Sequence, residues 1–80
     1  MTPTILRLPA IKTSTGLSRS TIYLRIAQGV FPKPVSLGGR AVGWPESEVA
    51  SLNAARISGK SNSEIRDLVL KLEAARKAAA

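Results

Sequence analysis

Eighty residues can form one small domain, and a chain this short buries only about 60% of its unfolded surface. Twelve Lys and Arg against five Asp and Glu give a net charge of +7, and a 44% hydrophobic content is too high for a disordered basic tail. With no cysteine and no histidine, disulfides, thiolate metal sites, cysteine nucleophiles and the commonest general base are all excluded, which leaves binding to a polyanion, nucleic acid first and acidic membrane second.

The opening Met1 to Arg7 lacks the charged start and long apolar run of a signal peptide, and no stretch approaches the roughly 18 apolar residues of a membrane span. A cytoplasmic protein without membrane contact is expected. After this extended start, Leu8 and Ile11 share a helical face over Leu8–Ser14, with Pro9 suited to a first turn. Thr15, Gly16 and Leu17 interrupt the pattern, and Gly16 supplies the backbone freedom that a tight turn needs. Ser18 then serves as N-cap for a second helix, Arg19–Gln28, closed by Gly29. Helix, short glycine-containing turn and helix make the helix-turn-helix layout.

Pro32 and Pro34 forbid a continuing helix. Val35–Leu37 and Arg40–Val42 read as two strands around a Gly38-Gly39 turn, with Trp44 ending the second strand and sealing the hairpin against the helices. Pro45 fits the first position of a third helix that runs to about Arg56, and Glu46 and Glu48 lie in its first turn, where the helix dipole favours acids. Ser61-Asn62-Ser63-Glu64 is a capping box. Behind it Ile65, Leu68, Val69 and Leu72 form an apolar stripe, and Asp67–Lys71 and Glu73–Lys77 are spaced as i, i+4 ion pairs. The expected organisation is therefore a winged helix-turn-helix over residues 1–57, a linker over 58–61 and an added amphipathic helix over 62–78. The fold is mainly α with a small β-hairpin. Three roles are open for the stripe: covering the chain's own core, forming a homodimer seam, or docking another protein such as a polymerase subunit.

The charge is uneven. Eight bases against two acids give +6 up to Lys60, whereas four against three give +1 from Ser61 onward, and no acid occurs before Glu46. In the second helix Ile22 and Ile26 should meet Ile11 and Leu17 in the core. The opposite side presents Ser20, Thr21, Leu24 and Gln28, with Arg19 and Arg25 nearer its edges. Ser, Thr and Gln can hydrogen-bond base edges in a major groove, Leu24 can lie against a thymine methyl, and the N–H groups beside Ser18 can hold a phosphate. Tyr23 suits mixed packing or a phosphate contact. The Gly39-Arg40 tip can press on a neighbouring backbone or minor groove. With aromatics at 4%, stacking on single strands has little to work with.

No enzyme is expected. Gly38 to Gly43 has the outer spacing of a phosphate-binding loop, but Trp44-Pro45 stands where Lys and Ser/Thr must be. Glu46 and Glu48 are better explained by a helix start than by acid–base work. No cofactor or metal is implied.

Taken in order, Ile5-Leu6-Arg7-Leu8-Pro9, Thr15 to Tyr23, Phe31-Pro32-Lys33-Pro34-Val35, Leu37 to Trp44 and Glu46 to Val49 resemble the AlpA family of phage and prophage regulators, a group with MerR- and excisionase-like winged helix-turn-helix domains. The resemblance covers Ile5 to Ile57. It implies a double-stranded-DNA-binding regulator of mobile-element genes, with the second helix in the major groove and the wing after Pro34 on the flank. Ser18, Arg19, Ser20, Thr21 and Tyr23 match the helix start, and Gly39 and Arg40 match the wing; Thr15, Leu24, Arg25, Gln28 and Lys33 complete the expected DNA contacts. Leu24-Arg25 departs from the polar-then-apolar pair expected there, so base preference should differ. Members of this family are typically activators, some acting through RNA polymerase to read through terminators, which would place the chain at the bacterial nucleoid. Excisionase-like relatives, which bend DNA for an integrase and bind as adjacent copies, supply the alternative. The helix after Ser61 extends past the resemblance, and Ile65, Leu68, Val69 and Leu72 are its candidate partner contacts.

Overall fold

The computed structural model describes the backbone of residues 4–79 and the side chains of residues 4–76. Two glycines divide its N-terminal half. Helix α1 (Leu8–Thr15) takes Pro9 in its first turn, where no backbone donor is needed, and ends at Gly16 with φ 71°. The Gly16 N–H bonds the Lys12 carbonyl at 2.9 Å. Helix α2 (Arg19–Ala27) starts at Ser18, whose Oγ accepts the Thr21 N–H at 3.3 Å, and it closes over Gln28 and Gly29, the latter at φ 79°.

The sheet has one strand more than the hairpin. Strand β1 (Ile5–Leu6) pairs antiparallel with β3 (Ala41–Pro45), whose other edge pairs with β2 (Val35–Gly38), for an order β1-β3-β2. Two residues are too few to show a period of two, so β1 leaves no pattern in the sequence. Its seat depends on Gly43: a Cβ there would stand 2.5 Å from Ile5 Cγ2 and 2.9 Å from the Leu6 carbonyl oxygen. Gly43→Ala is therefore expected to push β1 from the sheet edge. Amide exchange should show Ile5 and Leu6 losing protection while α1 and α2 keep theirs, and unchanged protection would count against this packing.

The wing turns one residue later than its sequence suggests. Gly38 pairs with Ala41, so Gly39 and Arg40 form the turn, and Gly38 lies at a register shift with φ 105°. Gly39, at φ 55°, occupies the first turn position, which favours glycine in a two-residue hairpin loop. Arg40 thereby becomes a tip residue rather than the start of a strand. Pro45 is also displaced: it ends β3 and precedes helix α3 (Glu46–Ile57) as its cap residue, with ψ 130°. The N–H of Glu46, the first helical residue, is met by the Thr4 carbonyl at 2.8 Å.

The helices and sheet enclose one core of Ile11, Ile22, Val30, Phe31, Trp44, Val49, Leu52, Ile65 and Val69, with Leu17 and Ile26 partly buried against it. Trp44 is fully buried, donates its indole N–H to the Pro32 carbonyl at 2.9 Å and meets the Phe31 ring edge-on at 6.1 Å. Helix α3 is tied to α1 by Asn53, whose amide donates to the Ser14 carbonyl at 3.0 Å.

Helix α4 (Asn62–Ala79) opens on the capping box: the Glu64 carboxylate accepts the Ser61 N–H, and the Ser61 hydroxyl accepts the Glu64 N–H, both at 3.2 Å. The Ser61 N–H and the Ser61 hydroxyl, which donates to the same carboxylate oxygen at 3.1 Å, hold the Glu64 carboxyl below its ordinary pKa. Its apolar stripe is turned inward. Ile65 and Val69 belong to the core, and Leu68 and Leu72 pack against it. Of the four residues considered for a dimer seam or a partner, Ile65 and Val69 are thus buried by the chain itself and Leu68 and Leu72 partly so, because the small core left by three short helices needs an apolar lid.

The polar side of α4 also departs from its sequence pattern. Among the described residues the ion pairs are Lys60–Glu64 and Glu48–Arg76, so Asp67 and Lys71 do not pair. Glu73 accepts the Lys33 backbone N–H at 2.8 Å, and its expected i, i+4 partner, the Lys77 side chain, lies outside the described residues, as do residues 1–3. Glu48 is no simple dipole-facing acid. It is buried and takes two hydrogen bonds from Arg76, Nε at 2.9 Å and Nη2 at 2.6 Å, while Nη2 also donates to the Lys33 carbonyl at 2.8 Å. The carboxylate raises the already high pKa of the Arg76 guanidinium.

Candidate nucleic-acid interface

The amphipathic cut of α2 decides what this helix offers to solvent. Ile22 is fully buried, whereas Ser20 and Gln28 are exposed, Thr21 is partly covered and Leu24 is 56% exposed. A leucine this open, flanked by small hydroxyls and an amide, makes a face that is apolar at its centre and hydrogen-bonding at its margins. At the N-terminal end the Ser18 Oγ lies 2.9 Å from Thr21 Oγ1 and 3.3 Å from Ser20 Oγ, a hydroxyl cluster built on the cap itself. Tyr23 is 39% exposed and carries the Arg19 guanidinium over its ring at 5.7 Å. At an exposed site such a stack is worth about 0.5–1 kcal/mol, enough to bias the orientation of both side chains.

The remaining candidates fall into two groups. Thr15 serves the turn: its hydroxyl donates to the Ile11 carbonyl at 2.7 Å and accepts the Leu17 N–H at 3.3 Å. Gln28 keeps its amide in solvent while its backbone carbonyl accepts Arg66 Nε at 3.1 Å. Lys33 is exposed at the root of the wing, with both backbone groups held by α4 through Glu73 and Arg76. Gly39 and Arg40 are exposed at the wing tip.

Arg25 is half-buried and lines two neighbouring grooves together with Arg56, one of about 390 Å³ beside α1 and α3 and one of about 310 Å³ below the outer face of α2. Arg56 was not among the residues expected at this surface. At the end of a helix in the sequence it reads as an ordinary favourable dipole charge. Only the tertiary fold, which sets the end of α3 against the groove bordered by α2, brings it there.

The family model described as the prophage CP4-57 regulatory protein (AlpA) matches residues 4–57. The chain belongs to the AlpA family. It is 53% identical over 55 residues to the uncharacterized protein ORF88 of Enterobacteria phage P4, a match spanning 69% of this chain and 62% of the phage protein. It is 43% identical over 51 residues to the DNA-binding transcriptional activator AlpA of Escherichia coli strain K12, spanning 56% of this chain and 73% of that protein. The chain thus covers less than two thirds of the phage relative's length. No solved structure matches. The AlpA match ends at Ile57, the last residue of α3, so α4 lies beyond the segment shared with the family model although two of its side chains are core residues. No helix among the described residues is long and apolar enough to cross a membrane.

Proposed function

We propose that this AlpA-family chain binds double-stranded DNA sequence-specifically and regulates transcription of prophage or mobile-element genes, acting positively. The observation that carries the reading is the outer face of α2, where Ser20, Thr21, Leu24 and Gln28 face solvent on a segment with no acid before Glu46. Such a face can read base edges and a thymine methyl, and the surplus of cations supplies the phosphate attraction. The E. coli relative, a DNA-binding transcriptional activator, supports the same reading. Read-through by contact with RNA polymerase would need a surface other than Ile65, Leu68, Val69 and Leu72, which are turned into the domain.

Selection from a random duplex library tests the proposal. The winning duplex is expected to bind about 10³-fold or more tightly than a scrambled control at the same salt concentration. Equal binding to both would reduce the protein to a basic, non-specific binder. Bending of the selected duplex by adjacent copies, measured by gel phasing, would favour the excisionase-like alternative.

Two substitutions separate positioning from reading. Arg40→Ala at the wing tip is expected to weaken binding to every duplex and to flatten the dependence of log K on log salt by about 0.9, the loss of one phosphate contact. An unchanged slope would remove the tip from the interface. Thr21→Ala or Ser20→Ala should relax preference at one base position by roughly 1–3 kcal/mol, read by repeating the selection. A uniform loss over all sequences would instead reassign these hydroxyls to the backbone.

A further inference from the structure

Arg25 and Arg56 are thirty-one positions apart but line the same two grooves, on α2 and at the end of α3. Among the described residues neither is in an ion pair, since the pairs there are Lys60–Glu64 and Glu48–Arg76. Arg56 has a neutral partner: its Nη1 donates to Asn62 Oδ1 at 3.1 Å. That bond orients the guanidinium from the start of α4 and uses one of its five N–H donors. Partial burial lowers the Arg56 pKa, and the charge of Arg25 lowers it further. Two guanidinium groups lining the same grooves, with no carboxylate in either lining, give these grooves a positive potential suited to an anion.

The smaller groove names the anion. Its walls include Thr21, Leu24 and Gln28, three residues of the outer face of α2, together with Arg25, Arg56 and Asn62. When that face enters a major groove, the anion that runs along its border is the DNA backbone. Planar guanidinium forks match phosphate oxygens in paired hydrogen bonds, a geometry that lysine does not reproduce.

We infer that Arg25 and Arg56, the latter oriented by Asn62, jointly grip a single backbone phosphate at the edge of the groove that α2 enters. This rests on the DNA-binding reading above and adds to it a contact supplied from α3. It also couples the helix-turn-helix to the start of α4, because Asn62 belongs to the grip.

The test uses the full chain, the selected duplex and its scrambled control, with affinities measured across a series of salt concentrations. For Arg56→Gln the slope of log K against log salt is expected to fall by about 0.9, as is that of Arg25→Gln, while the double variant falls by no more than about the same amount because one phosphate is shared. Arg56→Gln should weaken both duplexes by one common factor, leaving their ratio intact. Replacing single phosphates by neutral methylphosphonates should find one position that weakens the wild type and leaves Arg56→Gln unaffected, a comparison that uses the wild-type fold. A slope unchanged in Arg56→Gln, a double variant falling by about 1.8, or no such methylphosphonate position would overturn the grip. If the wild type prefers the selected duplex while Arg56→Gln keeps its slope, the grip fails and the regulator reading stands. If the wild type binds both duplexes equally while Arg56→Gln lowers the slope, the grip stands and sequence-specific reading fails.

Discussion

Trp44→Ala is expected to destabilise the domain by about 3–5 kcal/mol, the range for truncating a large buried aromatic. A domain has only about 5–15 kcal/mol to lose, and a chain of eighty residues belongs near the lower end. Three losses coincide at this position. The indole leaves a void between the sheet and the helices, the Phe31 edge contact disappears, and the buried Pro32 carbonyl loses the indole N–H. Trp44→Phe separates the contributions: it keeps a ring but leaves the carbonyl unpaired, a penalty of about 1–3 kcal/mol. Urea unfolding followed by circular dichroism is the measurement. The alanine variant should lack a native baseline or unfold at a much lower urea concentration, and a midpoint equal to wild type would refute the core assignment.

Arg76→Ala should cost about 3 kcal/mol, near the bottom of the range for removing one partner of a buried ion pair, since Arg76 keeps 23% of its side chain exposed. The loss comes chiefly from the partner left behind. Glu48 has 7% of its side chain exposed and would retain a charge with neither of its two guanidinium bonds. Replacing both residues, as Glu48→Met with Arg76→Met, should recover most of the stability because no charge is then stranded. The pair itself is insensitive to ordinary pH on the arginine side. The folded-state pKa of Arg76 is raised above its already strongly basic unfolded value, so its contribution is complete at ordinary pH and fades only in strong alkali. Denaturant midpoints of the two single variants and the double variant form the cycle. Strictly additive losses would show that the contact contributes no coupling.

The same contact explains how a helix outside the AlpA match supports the part inside it. Arg76 and Glu73 hold the two backbone groups of Lys33, the residue that leads through Pro34 into β2. Helix α4 therefore fixes the root of the wing whose tip is Arg40. Loss of Arg76 should disturb the wing before it disturbs α2, where the cap Ser18 and the buried Ile22 hold the helix independently.

Much of this was legible in the amino-acid sequence because its causes are local. Ser18 caps a helix through a residue three positions away, Gly16 and Gly29 adopt positive φ where helices must stop, and Ser61 and Glu64 satisfy each other across one turn. The outer face of α2 follows from helical periodicity once Ile22 is assigned to the core. Trp44 was legible for a different reason: a large aromatic in a small, otherwise aromatic-poor chain has few places to go but inside.

What the sequence by itself determined is where elements start and stop, which face of each must be hidden, and that the chain carries excess positive charge. Those properties are set by caps, turns and periodicities spanning a few residues. Tertiary structure decided what does the hiding and which charges meet. An apolar stripe on α4 requires a cover without naming one, and the chain's own core supplies it through Ile65 and Val69. A glutamate in a first helical turn is consistent with the dipole alone, yet Glu48 finds Arg76 twenty-eight residues away, and Glu73 accepts from Lys33 forty residues away. Arg25 and Arg56 line one groove only once the chain has folded and set the end of α3 beside it. Such pairings depend on the closed chain, because charge and hydrophobicity state what kind of partner is needed and only packing selects the partner.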